Sequence, residues 1–321
     1  MIDRPTGLLD AVLDRSIVFG YTNIGFALRR ARWRRTDDPR PGSLAGRTVV
    51  VTGATSGIGA AIAEQVASLG AKVVITGRNR ARADEVRATI LRSHPESAVA
   101  VELGDVSDLD AIPDLARRLA AHGVDVIVHN AGVMPPKWTA ATNGHELSLA
   151  THVLGPILLT DLLMPHLAAG KDARVIFMSS GGMYTAELPV DDLDYCAGRY
   201  KGATAYARSK CVQVAMVPIL ARRWASGDVT VAGMHPGWVA TPGVADSLPG
   251  FNTLAGPLLR DADQGADTAV WLAATTPKPE NGRFWHDRAP RPERYLRRTE
   301  FTESDRAAVW RQVCSFAEIA P

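Results

Sequence analysis

From residue 47 onward, short apolar runs alternate with longer stretches of mixed polarity. The runs at 48–52 (TVVVT), 72–76 (KVVIT), 97–102, 124–129 (VDVIVH), 174–179 (RVIFMS) and 229–235 are brief and mostly rich in β-branched residues. That pattern predicts strands buried on both faces, with a shorter seventh at 283–285. The stretches between them predict helices over 58–69, closed by Gly70, and over 81–93. Further helices are expected from a cap at Ser107 to 121, closed by Gly123, and over 145–167, 204–224 and 264–274. A last helix opens near Thr302 and Ser304. Strands alternating with helices imply an α/β fold: a doubly wound, Rossmann-like parallel sheet forming one domain over residues 47–321.

Residues 1–46 break the pattern and read as a helical extension followed by a linker. A moderately apolar stretch, 8–28, is interrupted by Asp10, Asp14, Arg15, Gly20 and Gly25. A basic run follows, with Arg29, Arg30, Arg32, Arg34 and Arg35 around Trp33, and then Asp37, Asp38, Pro39, Pro41 and Gly42 as the linker. An amphipathic basic helix of this kind suits a membrane surface, with arginines on anionic headgroups. The plainer reading, a helical hairpin covering a flank of the main domain or a partner subunit, is favoured, because one short apolar face with five arginines gives only reversible membrane affinity.

Composition narrows the class. The 321 residues are 46% hydrophobic and 22% charged, enough for a sizeable core, and Lys+Arg 36 against Asp+Glu 34 gives a net charge of +2. A nucleic-acid binder driven by whole-protein charge is excluded. Cys196, Cys211 and Cys314 are scattered, which argues against a disulfide scaffold or a cysteine zinc site and fits a reducing cytoplasm. No apolar run of transmembrane length and no signal peptide is evident at this level. His145-Glu146 lacks the second histidine of a zinc protease motif, and no metal is expected.

Candidate chemistry begins at the end of the first strand. Thr52-Gly53-Ala54-Thr55-Ser56-Gly57-Ile58-Gly59 runs from that strand into a helix. Glycines allow a tight turn and close approach to a pyrophosphate, and the helix N-terminus offers free N–H groups and a positive dipole end. The second strand ends in Gly77-Arg78-Asn79. An acidic residue there would hold the 2′-hydroxyl of NAD, whereas Arg78 suits a 2′-phosphate, which favours NADP(H). NAD(H) stays open if Arg78 is only a solvated arginine.

A second constellation lies further along. Tyr206 and Lys210 are four residues apart and share a helix face. A free tyrosine, with a pKa of about 10, is a poor base at neutral pH. A neighbouring ammonium favours its phenolate. Ser179-Ser180 ends the fifth strand, at the carboxyl edge where ligands sit in such sheets.

Together these residues resemble the short-chain dehydrogenase/reductase family: TGATSGIG, Asp105-Val106, His129-Asn130-Ala131-Gly132, Ser180, Tyr206-xxx-Lys210 and His235-Pro236-Gly237 occur in the expected order. GYTNIGFALR, SSGGMYT, AYARSK, MHPGWVATPGV and FWHDR are similar to the member-12 branch of that family. The resemblance implies that Ser180 holds the substrate oxygen and Tyr206 moves its proton. Lys210 would lower the tyrosine pKa and hold the nicotinamide ribose. Asp105 and Val106 would contact the adenine, Asn130, Ala131 and Gly132 would line the cofactor cleft, and the 236–241 stretch, with Pro236, Gly237, Val239 and Thr241, would lie over the nicotinamide. Homo-oligomers through the long helices are also implied, although the extension could block that surface.

One residue departs from the family pattern. His152 stands where the family usually has an asparagine that holds a water in the proton relay. Histidine can hydrogen-bond too, so it counts as a candidate catalytic residue and a source of pH dependence; the other reading is a core histidine bonded to backbone. Tyr184, Tyr195 and Tyr200 read as loop or pocket residues, and His286-Asp287 as a surface pair. Trp238, Phe251, Phe284 and Trp285 are candidates for an apolar pocket wall. The reading that follows is an NADP(H)-preferring oxidoreductase acting on a lipophilic carbonyl or secondary alcohol. A low-turnover cofactor-binding scaffold and a lipid-handling membrane protein are the competing readings.

Overall fold

Among the described residues, eight strands form one sheet in the order β3-β2-β1-β4-β5-β6-β7-β8. The computed structural model describes residues 8–225, 227–240 and 256–321. β1 (Thr48–Val51), β2 (Lys72–Gly77), β3 (Val99–Leu103), β4 (Val126–His129), β5 (Ala173–Met178), β6 (Val229–Met234) and β7 (Arg283–His286) are mutually parallel. Strands β1, β4, β5 and β6 are buried along their whole length, as their continuous apolar runs require. The chain crosses from β3 back over β1 to β4, so a crevice opens where the strand order reverses, at the carboxyl ends of β1 and β4.

The helices lie close to their expected places. α4 (Gly57–Ser68), α5 (Arg80–Ser93), α9 (Gly202–Arg223), α10 (Ala262–Ala274) and α11 (Glu303–Phe316) each begin within two residues of the expected start. Thr302 caps α11 through a reciprocal pair of bonds with Asp305. α6 differs from expectation: it spans Ile112–Ala120, and Ser107 does not cap it. The Ser107 N–H and hydroxyl instead donate to Asp105 Oδ1 at 2.9 and 2.7 Å. A short β8 (Ala289–Arg291) pairs antiparallel with β7, and the sequence pattern did not announce it.

The long helix at 145–167 is interrupted. α7 (Leu147–Leu149) passes into a π-helical stretch, Ala150–Leu154, before α8 (Gly155–Leu167). Such a bulge rotates the side chains that follow and recurs at functional sites. Leu147–Leu167 is apolar and long enough to cross a membrane by length and composition, which the sequence reading overlooked, but 72% of its apolar window is buried inside the fold.

The extension folds onto the domain. α1 (Leu8–Arg15), α2 (Ile17–Gly20) and α3 (Asn23–Arg30) bury Tyr21, Phe26 and Arg29 against the C-terminal segment. Burying each aromatic contributes about 2 kcal/mol. Trp33 stacks on the Arg288 guanidinium at 4.1 Å and meets Phe26 edge-on. In the linker, the Asp37 carbonyl accepts the Trp271 indole N–H at 3.0 Å. Arg30, Arg32, Arg34 and Arg35 stay exposed, with Phe19, Ile24 and Leu28.

Candidate active site

A cleft of about 390 Å³ follows the carboxyl ends of β1, β2 and β4. The glycine turn forms its floor: Gly53, Thr55, Ser56, Gly57, Ile58 and Gly59 all line it. Gly53 has φ +63°, and a Cβ there would lie 2.7 Å from Ala131 Cα, so only glycine fits between the two loops. The Ser56 side chain makes no capping bond at the start of α4, whose first residues line the cleft, and uncapped amides at a helix start suit an anion. Asn130 secures the turn, its Nδ2 donating to the Thr52 and Gly53 carbonyls at 3.0 and 3.1 Å. Ala131 and Gly132 continue the wall. An elongated cleft with a glycine floor and free helix amides fits a dinucleotide.

At one end lie Arg78, Asp105 and Val106. Arg78 Nη1 is 3.2 Å from Asp105 Oδ2. Burial pushes the Asp105 pKa up, but the Ser107 donors and Arg78 outweigh it, and the carboxyl stays below the usual range. Arg82 lines the same end and was missed by the sequence reading. Its signal was present: Asn79 caps α5 by accepting the Arg82 N–H at 3.0 Å, which places Arg82 in the first turn beside Arg78.

At the other end stand Tyr206 and Thr151. Burial raises the Tyr206 pKa, and a hydrogen bond with Ser180 draws it back. Ser180 is thereby placed at the phenol, while the Ser179 hydroxyl is turned inward and donates to the Lys210 carbonyl at 3.2 Å. Lys210 is buried; its Nζ donates to the Met178 carbonyl at 2.6 Å and lies 5.7 Å from the Tyr206 ring centre. Burial lowers the Lys210 pKa to about 7. Desolvation thus acts on both groups, raising the pKa of the phenol and lowering that of the ammonium, against the shift toward phenolate expected from the neighbouring lysine.

His152 is wholly buried in the π stretch, edge-on to Tyr206 with ring centres 5.2 Å apart. Its Nε2 accepts the Val133 N–H at 3.1 Å, and its Nδ1 is 2.8 Å from Ser209 Oγ. The Ser209 hydroxyl donates to the Tyr206 carbonyl, so Nδ1 carries the proton. Burial, aided by Lys210, holds its pKa well below the ordinary value. The expected pH dependence from His152 is thus overturned: the ring stays neutral and ties the cleft wall to the tyrosine helix. His129 is likewise a core residue, stacked on Phe177, with Nε2 2.7 Å from Thr160 Oγ1.

The loop after β6 stands apart from the cleft lining. The Pro236 carbonyl accepts from Arg260, Gly237 has φ +81°, and Val239 is buried in a bridge with Arg260. Thr241 and Phe251 lie outside the described residues. His286-Asp287 is no surface pair: both are buried, with Asp287 bound to Arg29 and Arg260. Phe284 and Trp285 belong to the core and Trp238 is half-buried. Tyr184 is core too, its hydroxyl donating to the Pro292 carbonyl, and Tyr195 packs on Tyr200.

The short chain dehydrogenase family model matches residues 47–250, which span the glycine turn, Ser180, Tyr206 and Lys210. The chain belongs to the short-chain dehydrogenase/reductase family. Like other members, it is an NAD(P)-dependent oxidoreductase acting on CH–OH and C=O groups. It is 38% identical to Dehydrogenase/reductase SDR family member 12 of Homo sapiens, over 77% of this chain and 78% of that protein, which supports the member-12 branch. It is 30% identical to Retinol dehydrogenase 14 of Mus musculus, over 81% and 87% of the two chains. Among solved structures, a 3-oxoacyl (acyl-carrier-protein) reductase from Agrobacterium tumefaciens with NADP bound matches with TM-score 0.61 and 26% identity, covering 75% of this chain and 91% of that one.

Proposed function

We propose that this short-chain dehydrogenase/reductase prefers NADP(H) and interconverts a lipophilic carbonyl compound and its secondary alcohol. The observation that carries the cofactor choice is the end of β2, where Arg78 and Arg82 line the cleft and no acidic side chain follows Gly77. The NADP-bound reductase among the similar structures supports it. The likeness to a retinol dehydrogenase supports an apolar substrate.

The nicotinamide cofactor supplies the hydride when bound. The rest is done by the chain. Asp105 and Val106 hold the adenine end, and the α4 amides hold the pyrophosphate. The Ser180 hydroxyl holds the substrate oxygen. The Tyr206 phenol gives its proton to that oxygen in reduction, leaving a phenolate, and in oxidation the phenolate takes the proton of the alcohol as hydride leaves its carbon. Lys210 holds the nicotinamide ribose and carries charge toward the phenol. Val133, fixed by His152, forms part of the cleft wall.

Tyr206→Phe tests the reading. NADPH consumption with a panel of apolar ketones and aldehydes is expected from the wild type and lost in the variant, with cofactor affinity retained. Equal turnover in both would remove Tyr206 from its role, and wild-type inactivity with intact NADPH binding would favour a low-turnover scaffold.

The exposed Phe19, Ile24 and Leu28 beside Arg30, Arg32, Arg34 and Arg35 support peripheral contact of a cytoplasmic protein with an anionic membrane. Co-sedimentation with phosphatidylserine vesicles is expected to fall when Arg32→Glu and Arg35→Glu are combined. Unchanged sedimentation would sink that part.

A further inference from the structure

Tyr21, in the turn between α2 and α3, sits beneath the loop that follows β6. Its carbonyl accepts the Trp238 N–H at 2.8 Å, and its ring packs edge-on to His235 and Trp238, with centres 4.6 and 6.2 Å away. Arg260 joins the two segments. Its Nε and Nη2 donate to the Tyr21 and Gly20 carbonyls, each at 3.1 Å, while Nη1 donates to the Pro236 carbonyl at 3.1 Å. Asp287 receives Arg260 on both oxygens, at 2.6 and 2.9 Å, and Arg29 Nη1 at 2.8 Å. Arg29 reaches on to the Gly20 carbonyl at 2.9 Å and to Asp10 at 2.8 Å.

Three charged groups buried this deeply are costly unless each is paired in a narrow geometry, so the cluster fixes how the extension and the loop meet. The fit is close at Gly237, where a Cβ would lie 2.5 Å from Arg260 Cζ and 2.8 Å from the Tyr21 carbonyl oxygen. The loop then packs on α10 beside the glycine turn. Val239 and Ile58 of the glycine turn both meet α10 at Gly265, where a Cβ would lie 2.8 and 3.3 Å from them.

We propose that the N-terminal helices are a clamp for the active site: through Tyr21, Arg29 and Arg260 they hold residues 236–240 in the position needed at the nicotinamide end, so that cofactor binding and the extension are coupled. Arg29 and Arg260 are positioning residues. The proposal rests on the oxidoreductase reading, in which this loop lies over the nicotinamide. Among the described residues, none between 8 and 30 lines the cleft, so any effect of the extension on the cofactor passes through the loop.

Hydrogen exchange on the full wild-type chain, with and without NADPH, tests the clamp without a variant. Peptides covering 19–30 and 235–240 are expected to gain protection together, the first despite touching no cofactor. Arg29→Met is the companion variant, since it leaves the Arg260–Asp287 pair intact. It is expected to weaken NADPH binding and lower kcat about tenfold each, to leave the affinity for 2′,5′-ADP unchanged, and to be partly rescued by Arg29→Lys. Protection confined to the cleft, or an Arg29→Met protein that melts earlier but keeps NADPH affinity and kcat, would overturn the clamp. If Arg29→Met does not fold, the exchange result decides. A wild type that binds no NADPH would overturn the oxidoreductase reading itself, and the clamp with it.

Discussion

Arg78 Nη1 lies 3.2 Å from Asp105 Oδ2 at the rim of the dinucleotide cleft, with the arginine side chain 66% exposed. An exposed pair of this kind contributes little to stability, so Arg78 is free to exchange its partner for a phosphate. Arg78→Ala is expected to weaken NADPH binding about tenfold or more, the loss of one charge-assisted contact. NADH affinity and melting temperature should not move. Calorimetric titration of both cofactors checks this, and an equal loss for each would place Arg78 outside the 2′-phosphate site.

In the proposed mechanism Tyr206, bonded to Ser180, moves the proton. Tyr206→Phe removes only the phenolic oxygen, and turnover is expected to fall by about 10²-fold or more. NADPH affinity should stay near the wild-type value, because the ring and the cleft wall are kept. The comparison needs initial rates and a binding curve on the same preparations.

Lys210 is expected to give the fold a pH slope. Burial lowers its pKa to about 7 from 10.5, so in this window the unfolded chain binds more protons than the folded one. Stability therefore rises as pH increases through that window, by at most about 1.4 kcal/mol per pH unit. Below pH 7 both states are protonated, and the full penalty of a buried charge is present. Lys210→Met should lack this slope, resist urea at least as well as the wild type at pH 7, and lose activity. Denaturation curves of both proteins at pH 7 and pH 9 read the difference.

His152 is expected to leave no mark on the pH–rate profile near its ordinary pKa, because its ring is buried, neutral and bonded at both nitrogens. His152→Asn, the usual family residue, should keep the same profile shape between pH 6 and 8. His152→Ala should cost about 2–4 kcal/mol, since the Val133 N–H and the Ser209 hydroxyl lose their partner. Chemical denaturation and a pH series of kcat test the two statements separately.

The sequence announced what local pattern controls. Continuous Val/Ile runs gave the parallel strands, and the glycine turn between strand and helix gave the dinucleotide cleft. β8 was illegible because three residues containing Pro290 carry no periodicity; an edge strand tolerates the missing donor. Ser107 resembled a helix cap because serine bonds amides and carboxylates equally well, and only the fold shows that Asp105 is its partner. The buried Arg29–Asp287–Arg260 cluster joins residues 258 and 27 positions apart in the chain, beyond the reach of any spacing rule. The states of Tyr206 and Lys210 depend on desolvation, which residue identity alone does not reveal.

Calorimetric titration of the full chain with NADPH and with NADH decides the cofactor preference. NADPH is expected to bind at least about tenfold more tightly, through Arg78 and Arg82 at the 2′-phosphate. Tighter binding of NADH, or no binding of either cofactor, would contradict this expectation.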